Sequence, residues 1–311
     1  MKNKPLLLFI GGPTGAGKTT LAIELYLRQG WPIISADSRQ IYRYLDIGTN
    51  KVPQDIQAQV PHFLIDICDP DQSYSAGIFI RDTETLISQW NTPVVQVAGG
   101  TGFYMEALLY GLDPIPPTPV EIRKQAEAWL NASGLSEIVL WLKEADPLTA
   151  SKIDLSNPRR VLRAVEVLWA TGKPWASFWQ AQRVRRYRSV KVMLTLPRRE
   201  LYASIADRTR RQIAMGWLEE TLFLLQKGYT STAPALQTLG YKECLAVLEG
   251  TLTYQSLTEA VIIANQRYAR RQITWWRRFG ADIWIEEENL ASRIRSVEQA
   301  VFRALEAREK D

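Results

Sequence analysis

Apolar residues in the first third of the chain arrive in short, nearly unbroken runs. LLLFI at 6–10, WPIISAD at 31–37, FLIDI at 63–67 and PVVQVAGG at 93–100 lack the alternation of a strand with one wet face. Such runs suit strands buried on both faces, in a parallel sheet covered by helices. The spacing between the first two leaves room for a glycine-rich turn and a helix over 11–29. After GLDPIPPTP at 111–119 the rhythm breaks, and 120–180 reads as helices. VKVMLTL at 190–196 and ADIWIEE at 281–287 then read as strands returning to the sheet. The expected architecture is a doubly wound α/β core over 1–114 and 189–311, interrupted by a helical insertion domain at 115–188.

The turn after the first strand reads GPTGAGKT at 12–19, and it places Gly12, Gly17, Lys18 and Thr19 in the Walker A pattern between a strand and a helix. Glycines let backbone N–H groups converge on phosphate oxygens, and the helix adds its positive N-terminal end. Lys18 supplies a point charge and the Thr19 hydroxyl can ligate Mg2+. The expected fold is therefore a P-loop NTPase-like parallel sheet. The strand that commonly ends in a metal-holding aspartate offers only Gln96. That tilts the chemistry away from water activation and towards a diphosphate that departs as a leaving group. The second strand delivers Asp37 and Ser38 to the same sheet edge, where a carboxylate can act as general base, accept a nucleobase N–H, help place Mg2+, or merely cap a turn. The fourth delivers Gly99-Gly100-Thr101-Gly102, whose lone hydroxyl can bond a closely approaching substrate or sit in a purely structural turn.

Charge sharpens the picture. The 311 residues carry a net +5, but 1–112 hold 8 Lys/Arg against 10 Asp/Glu, while 158–278 hold 21 against 8. A single nucleotide needs no field that large, whereas a longer polyanion would use it. In NQRYARRQITWWRRF (265–279), helical spacing puts Arg267, Arg270, Arg271, Thr274, Arg277 and Arg278 on one face. Tyr268, Gln272, Trp275 and Trp276 fall on the adjoining one. Further cations cluster at 159–163, 183–188 and 208–211. Two cysteines and one histidine, His62, make neither a disulfide framework nor a Cys/His zinc site. With so few cysteines a reducing cytoplasm is the expected setting, and no apolar stretch approaches the length of a membrane span.

Seven ordered stretches, GPTGAGKT, ISADSRQIYRYLDIGT, PHFLID, YSAGIF, AGGTGFY, LGYKE and RRQITWWRR, closely resemble the tRNA dimethylallyltransferase (tRNA isopentenyltransferase) family over about residues 6–279. The resemblance implies transfer of a dimethylallyl group from dimethylallyl diphosphate to the exocyclic amine of the adenosine just 3′ of the tRNA anticodon. It implies that Gly12, Pro13, Thr14, Gly15, Ala16, Gly17, Lys18 and Thr19 hold the diphosphate, with Mg2+ on Thr19. Asp37 would accept the amine proton, with Thr101 and Lys18 completing the catalytic set. By the same resemblance tRNA contacts fall on Asp37, Ser38, Arg39, Gln40 and Thr101, on Arg123, Arg159, Arg160 and Arg163 of the insertion, and on Gly240, Tyr241 and Lys242. They continue along Arg270, Arg271, Gln272, Thr274, Trp275 and Arg277. Tyr44-Leu45 and Arg39 depart from the family's usual residues in the second stretch. His62 falls in the PH motif and reads as a core residue. A monomer is expected. The rival readings are a small-molecule P-loop kinase, a prenyltransferase acting on free adenosine phosphates, and a non-catalytic RNA-binding protein.

Overall fold

The computed structural model describes residues 4–179, 183–286 and 289–307. β1 (Leu6–Gly11) leads through the glycine turn into α1 (Lys18–Gln29) and β2 (Ile33–Ser35). Then come α2 (Gln54–Gln59), β3 (His62–Phe63), α3 (Ala76–Gln89), β4 (Val94–Ala98) and α4 (Gly102–Tyr110). The helices α5 (Val120–Ala145), α6 (Pro147–Ala150) and α7 (Pro158–Thr171) follow. After them come β5 (Ser189–Leu194), α8 (Arg198–Ala214), α9 (Trp217–Gln226), α10 (Tyr241–Leu248), α11 (Tyr254–Phe279), β6 (Ile283–Ile285) and α12 (Leu290–Glu306).

The strands form one parallel sheet in the order β3-β2-β4-β1-β5-β6. Successive residues of β1 point to opposite faces and both are dry. Leu7 and Phe9 join Phe79, Met105 and Trp276, whereas Leu6, Leu8 and Ile10 join Leu21, Leu25 and Val297. That double burial is why β1 shows no polar alternation. One expected strand is cut short. β3 ends at Phe63 because Leu64 and Asp66 take left-handed φ values of 63° and 56°. The chain then bonds to the loop after β2 instead, with Asp66 N–H on Gln40 O at 3.1 Å and Ile67 N–H on Ile41 O at 2.9 Å. The last expected strand spans only Ile283–Ile285, and residue 287 lies outside the described residues.

Two compact units emerge, Gly111–Val184 and the remainder. Residues 185–188 go with the sheet rather than with the insertion, because Leu7 N–H donates to Arg188 O at 3.0 Å and Arg186 N–H to Leu109 O at 2.8 Å. Inside the insertion, α5 breaks at Gly134, and Ala126, Ile138 and Leu142 pack on Val161, Ala164 and Val165 of α7. Asn157 caps α7 by accepting the N–H groups of Arg159 and Arg160. Residues 180–182 of the expected insertion lie outside the described residues.

Candidate active site

The phosphate loop leaves β1 in a conformation only glycine tolerates cheaply. Gly12 has φ 151°, and a Cβ there would sit 2.5 Å from Leu194 O; Gly17 has φ 85° and is the N-cap of α1. Lys18 Nζ donates to Pro13 O at 2.9 Å, folding the side chain back over the loop. Burial pulls its pKa down to about 8, with the Asp37 charge opposing that fall and Arg208 adding to it. Thr14, Lys18, Thr19, Ser35, Asp37, Gln40, Gly99 and Arg208 share the walls of one cavity of about 80 Å3.

Two turns at the same sheet edge are joined to each other. Asp37 Oδ1 accepts the Arg39 N–H at 3.0 Å, and Thr101 Oγ1 accepts the Ser38 N–H at 2.9 Å while its hydroxyl donates to Ser38 Oγ at 3.1 Å. Thr101 N–H donates to Ala36 O at 2.9 Å. Gly99 must be bare because a Cβ would fall 2.2 Å from Ala36 O. Gln96 turns away from this edge. Its amide donates to Ala22 O and Trp31 O at 3.1 and 2.9 Å, so it ties α1 to the start of β2.

Arg208 was visible in the sequence only as one cation of a surface cluster. Burial pulls its guanidinium pKa down to about 10, opposed by Asp37. Helical spacing was the missed signal, since Arg208 lies three residues after Ile205 and four before Gln212, both on the buried face of α8. Tyr268 was placed by spacing on the face adjoining the arginines of α11 but not in the site. Arg39 lies over its ring at 4.6 Å. Glu220 is a third. Its carboxylate accepts the N–H groups of Asp46, Ile47 and Gly48 at 2.8, 2.7 and 3.1 Å, along with the Tyr241 hydroxyl at 2.6 Å.

The residues expected on tRNA divide into two groups. Arg123, Arg159, Arg160, Lys242, Arg270, Arg271, Thr274 and Arg277 are exposed, and Ser38, Arg39, Gln40 and Arg163 are half-buried. Arg163 donates to Thr118 Oγ1 at 2.7 Å and pairs with Glu166, and the Gln40 amide donates to Thr49 O and Asn50 O. Gln272, Gly240 and Tyr241 lie inside the fold instead. Gln272 donates to Gly100 O at 2.9 Å and fixes the turn beside Asp37. Gly240 is pressed against the Trp217 ring, and Tyr241 is fully buried with its hydroxyl given to Glu220. Trp275 is half-buried against Gly102. Gln272 and Tyr241 follow the buried side of their helices, where a polar atom must find an internal partner, and Gly240 is the N-cap of α10.

No group of three or more His, Cys, Asp or Glu side chains that could hold a metal exists among the described residues. The Thr19 hydroxyl and the Asp37 carboxylate in the cavity are hard oxygen donors. They fit Mg2+, which takes most of its remaining ligands from phosphate and water.

A parallel sheet with a Walker A turn at its central strand, a cation-lined cavity and a lone carboxylate on the next strand define a P-loop protein of the phosphate-binding α/β class. The chain belongs to the IPP transferase family. That family's model matches residues 40–279, and an isopentenyl transferase model matches 5–67. A tRNA dimethylallyltransferase of Thermomicrobium roseum is 40% identical over 291 residues, covering 92% of this chain and 87% of the relative. One from Cytophaga hutchinsonii is 38% identical, covering 91% and 92%. The solved full-length tRNA isopentenylpyrophosphate transferase of Bacillus halodurans superposes with a TM-score of 0.73 at 31% identity, covering 99% of each chain. A eukaryotic dimethylallyltransferase captured acting on tRNA gives 0.74 at 25% identity, covering 88% of this chain and 70% of that one.

Proposed function

We propose that this chain transfers a dimethylallyl group from dimethylallyl diphosphate to the exocyclic amine of the adenosine 3′ of a tRNA anticodon, acting as a monomer in the cytoplasm. The observation that carries the reading is the cavity shared by Lys18, Thr19, Asp37 and Arg208. The donor's carbon–oxygen bond breaks as the amine nitrogen forms its bond to that carbon, and the electron pair leaves with the diphosphate. Loop N–H groups, Lys18 and Arg208 stabilise the charge that gathers there, and each ~1.36 kcal/mol of extra stabilisation is about tenfold in rate. Mg2+, held by Thr19 and by the diphosphate's own oxygens, would neutralise part of the same charge. Asp37 takes the amine proton as the carbon–nitrogen bond forms; an adenine amine is a poor base and needs no earlier deprotonation. Thr101, anchored on Ser38, hydrogen-bonds the amine or the departing oxygen. No water is activated, in keeping with Gln96 serving the backbone. The exposed arginines of α11 and α7 supply the field for the RNA.

Transfer of labelled dimethylallyl groups to unmodified tRNA tests the reading, with product expected from the wild type and none from Asp37→Ala. Product on AMP but not on tRNA, or ATP turnover without prenyl transfer, would overturn it. So would tight tRNA binding that yields no product.

A further inference from the structure

The strongest feature outside the site is a buried cation behind the phosphate loop. Arg293, in the first turn of α12, is 7% exposed. Its Nη1 donates to Ala16 O at 3.0 Å and lies 2.7 Å from where a Gly17 Cβ would be. The helix that carries it is well seated: Ile294, Val297 and Val301 share a core with Leu21, Ala22 and Leu25 of α1, and Gln29 donates to Glu298 at 2.7 Å. We propose that Arg293 is a positioning residue for the diphosphate, acting through the Ala16–Gly17 peptide. The Ala16 carbonyl and the Gly17 N–H belong to one amide. A guanidinium on the oxygen draws electron density from the nitrogen and makes the N–H a stronger donor to a phosphate oxygen. The same bond holds the peptide plane in the orientation that aims this N–H away from α12. This rests on the diphosphate reading of the loop.

Inorganic diphosphate binding by calorimetry, with steady-state kinetics on the full chain, tests it. Arg293→Met should weaken diphosphate and raise KM for dimethylallyl diphosphate about tenfold, leaving tRNA affinity unchanged and kcat within a few-fold. Arg293→Lys, which keeps the charge and a donor, should recover most of that loss. Unchanged diphosphate affinity in Arg293→Met overturns the proposal. Equal weakening of diphosphate and tRNA, the mark of a merely loosened fold, overturns it too. If Arg293→Met does not fold, Arg293→Lys decides alone. Wild-type-like melting with diphosphate affinity within threefold supports the role, and a folded Arg293→Lys no better than about tenfold weaker overturns it. A wild type that binds no diphosphate at all overturns both this inference and the reading beneath it.

Discussion

Arg208 and His62 show how single side chains acquire meaning only from their surroundings. Arg208 shares the cavity with Lys18, and its guanidinium is desolvated beside Asp37. Arg208→Ala should raise KM for the prenyl donor by about tenfold or more, since a charge-assisted bond to phosphate is removed. KM for tRNA should stay put, and an unchanged donor KM in steady-state kinetics would contradict the assignment. His62 is the chain's only histidine. Burial lowers its pKa below 6.5, although Nδ1 sits 2.7 Å from Val60 O. The unfolded chain therefore binds more protons than the folded one below pH 6.5, and stability falls as pH drops from there towards the folded pKa. Melting temperatures at pH 7.5 and 5.5 should diverge in the wild type and less in His62→Gln; equal divergence in both would refute this. Lys18 and Thr19 were legible because their pattern is local. Arg208 and Tyr268 were not, because they reach the site from helices more than a hundred residues downstream, and nothing in their local pattern points to it.

Among elements, the sheet was the most readable part and the turn after β3 the least. Nearly unbroken apolar runs identify β1 and β4, since burial on both faces leaves an almost continuous signature in sequence. FLIDI carries the same signature, yet its backbone turns left-handed at Leu64 and Asp66. There Asp66 pairs with Lys51 Nζ at 2.6 Å, and Lys51 Nζ also donates to Tyr42 O at 3.0 Å. A tertiary ion pair overrides a strand propensity, and no local pattern announces it. The loop at 46–50 depends on a similar distant partner, α9. Glu220 gathers three of its N–H groups, and Gly48 touches the rings of Trp217 and Tyr241. Gly48→Ala would place a Cβ 2.2 Å from the Trp217 Nε1. The expected cost is about 1–3 kcal/mol, from overpacking a filled core. Urea unfolding should show it, together with reduced transfer activity because Thr49 and Asn50 line the cavity. Unaltered stability would mean that the packing around Gly48 is loose.

At the scale of the molecule, charge segregation is the clearest message of the sequence, and the exposed arginines of α11 fit it. Arg267, Arg270, Arg271, Arg277 and Arg278 all face outward, while Gln272 and Trp276 turn in. Removing Arg270 and Arg277 together should lower the steepness of log affinity for tRNA against log salt by about 0.7–0.9 for each phosphate no longer neutralised. Filter binding across a salt series would measure it, and an undiminished slope would place the phosphate-binding cations elsewhere. The insertion was expected at 115–188, its start read from the prolines, and the compact unit runs Gly111–Val184. The last described helix was not legible as part of the site, since nothing in LASRIRSVEQAVFRALE names a phosphate. Every recurring signature of the chain is complete by residue 279, yet the segment that braces the glycines from behind begins at residue 290. A polypeptide halted between those points would retain all the hallmarks by which its relatives are detected, while lacking the buttress under its anion cradle. Reading frames truncated there would carry every such stretch and still grip a diphosphate poorly.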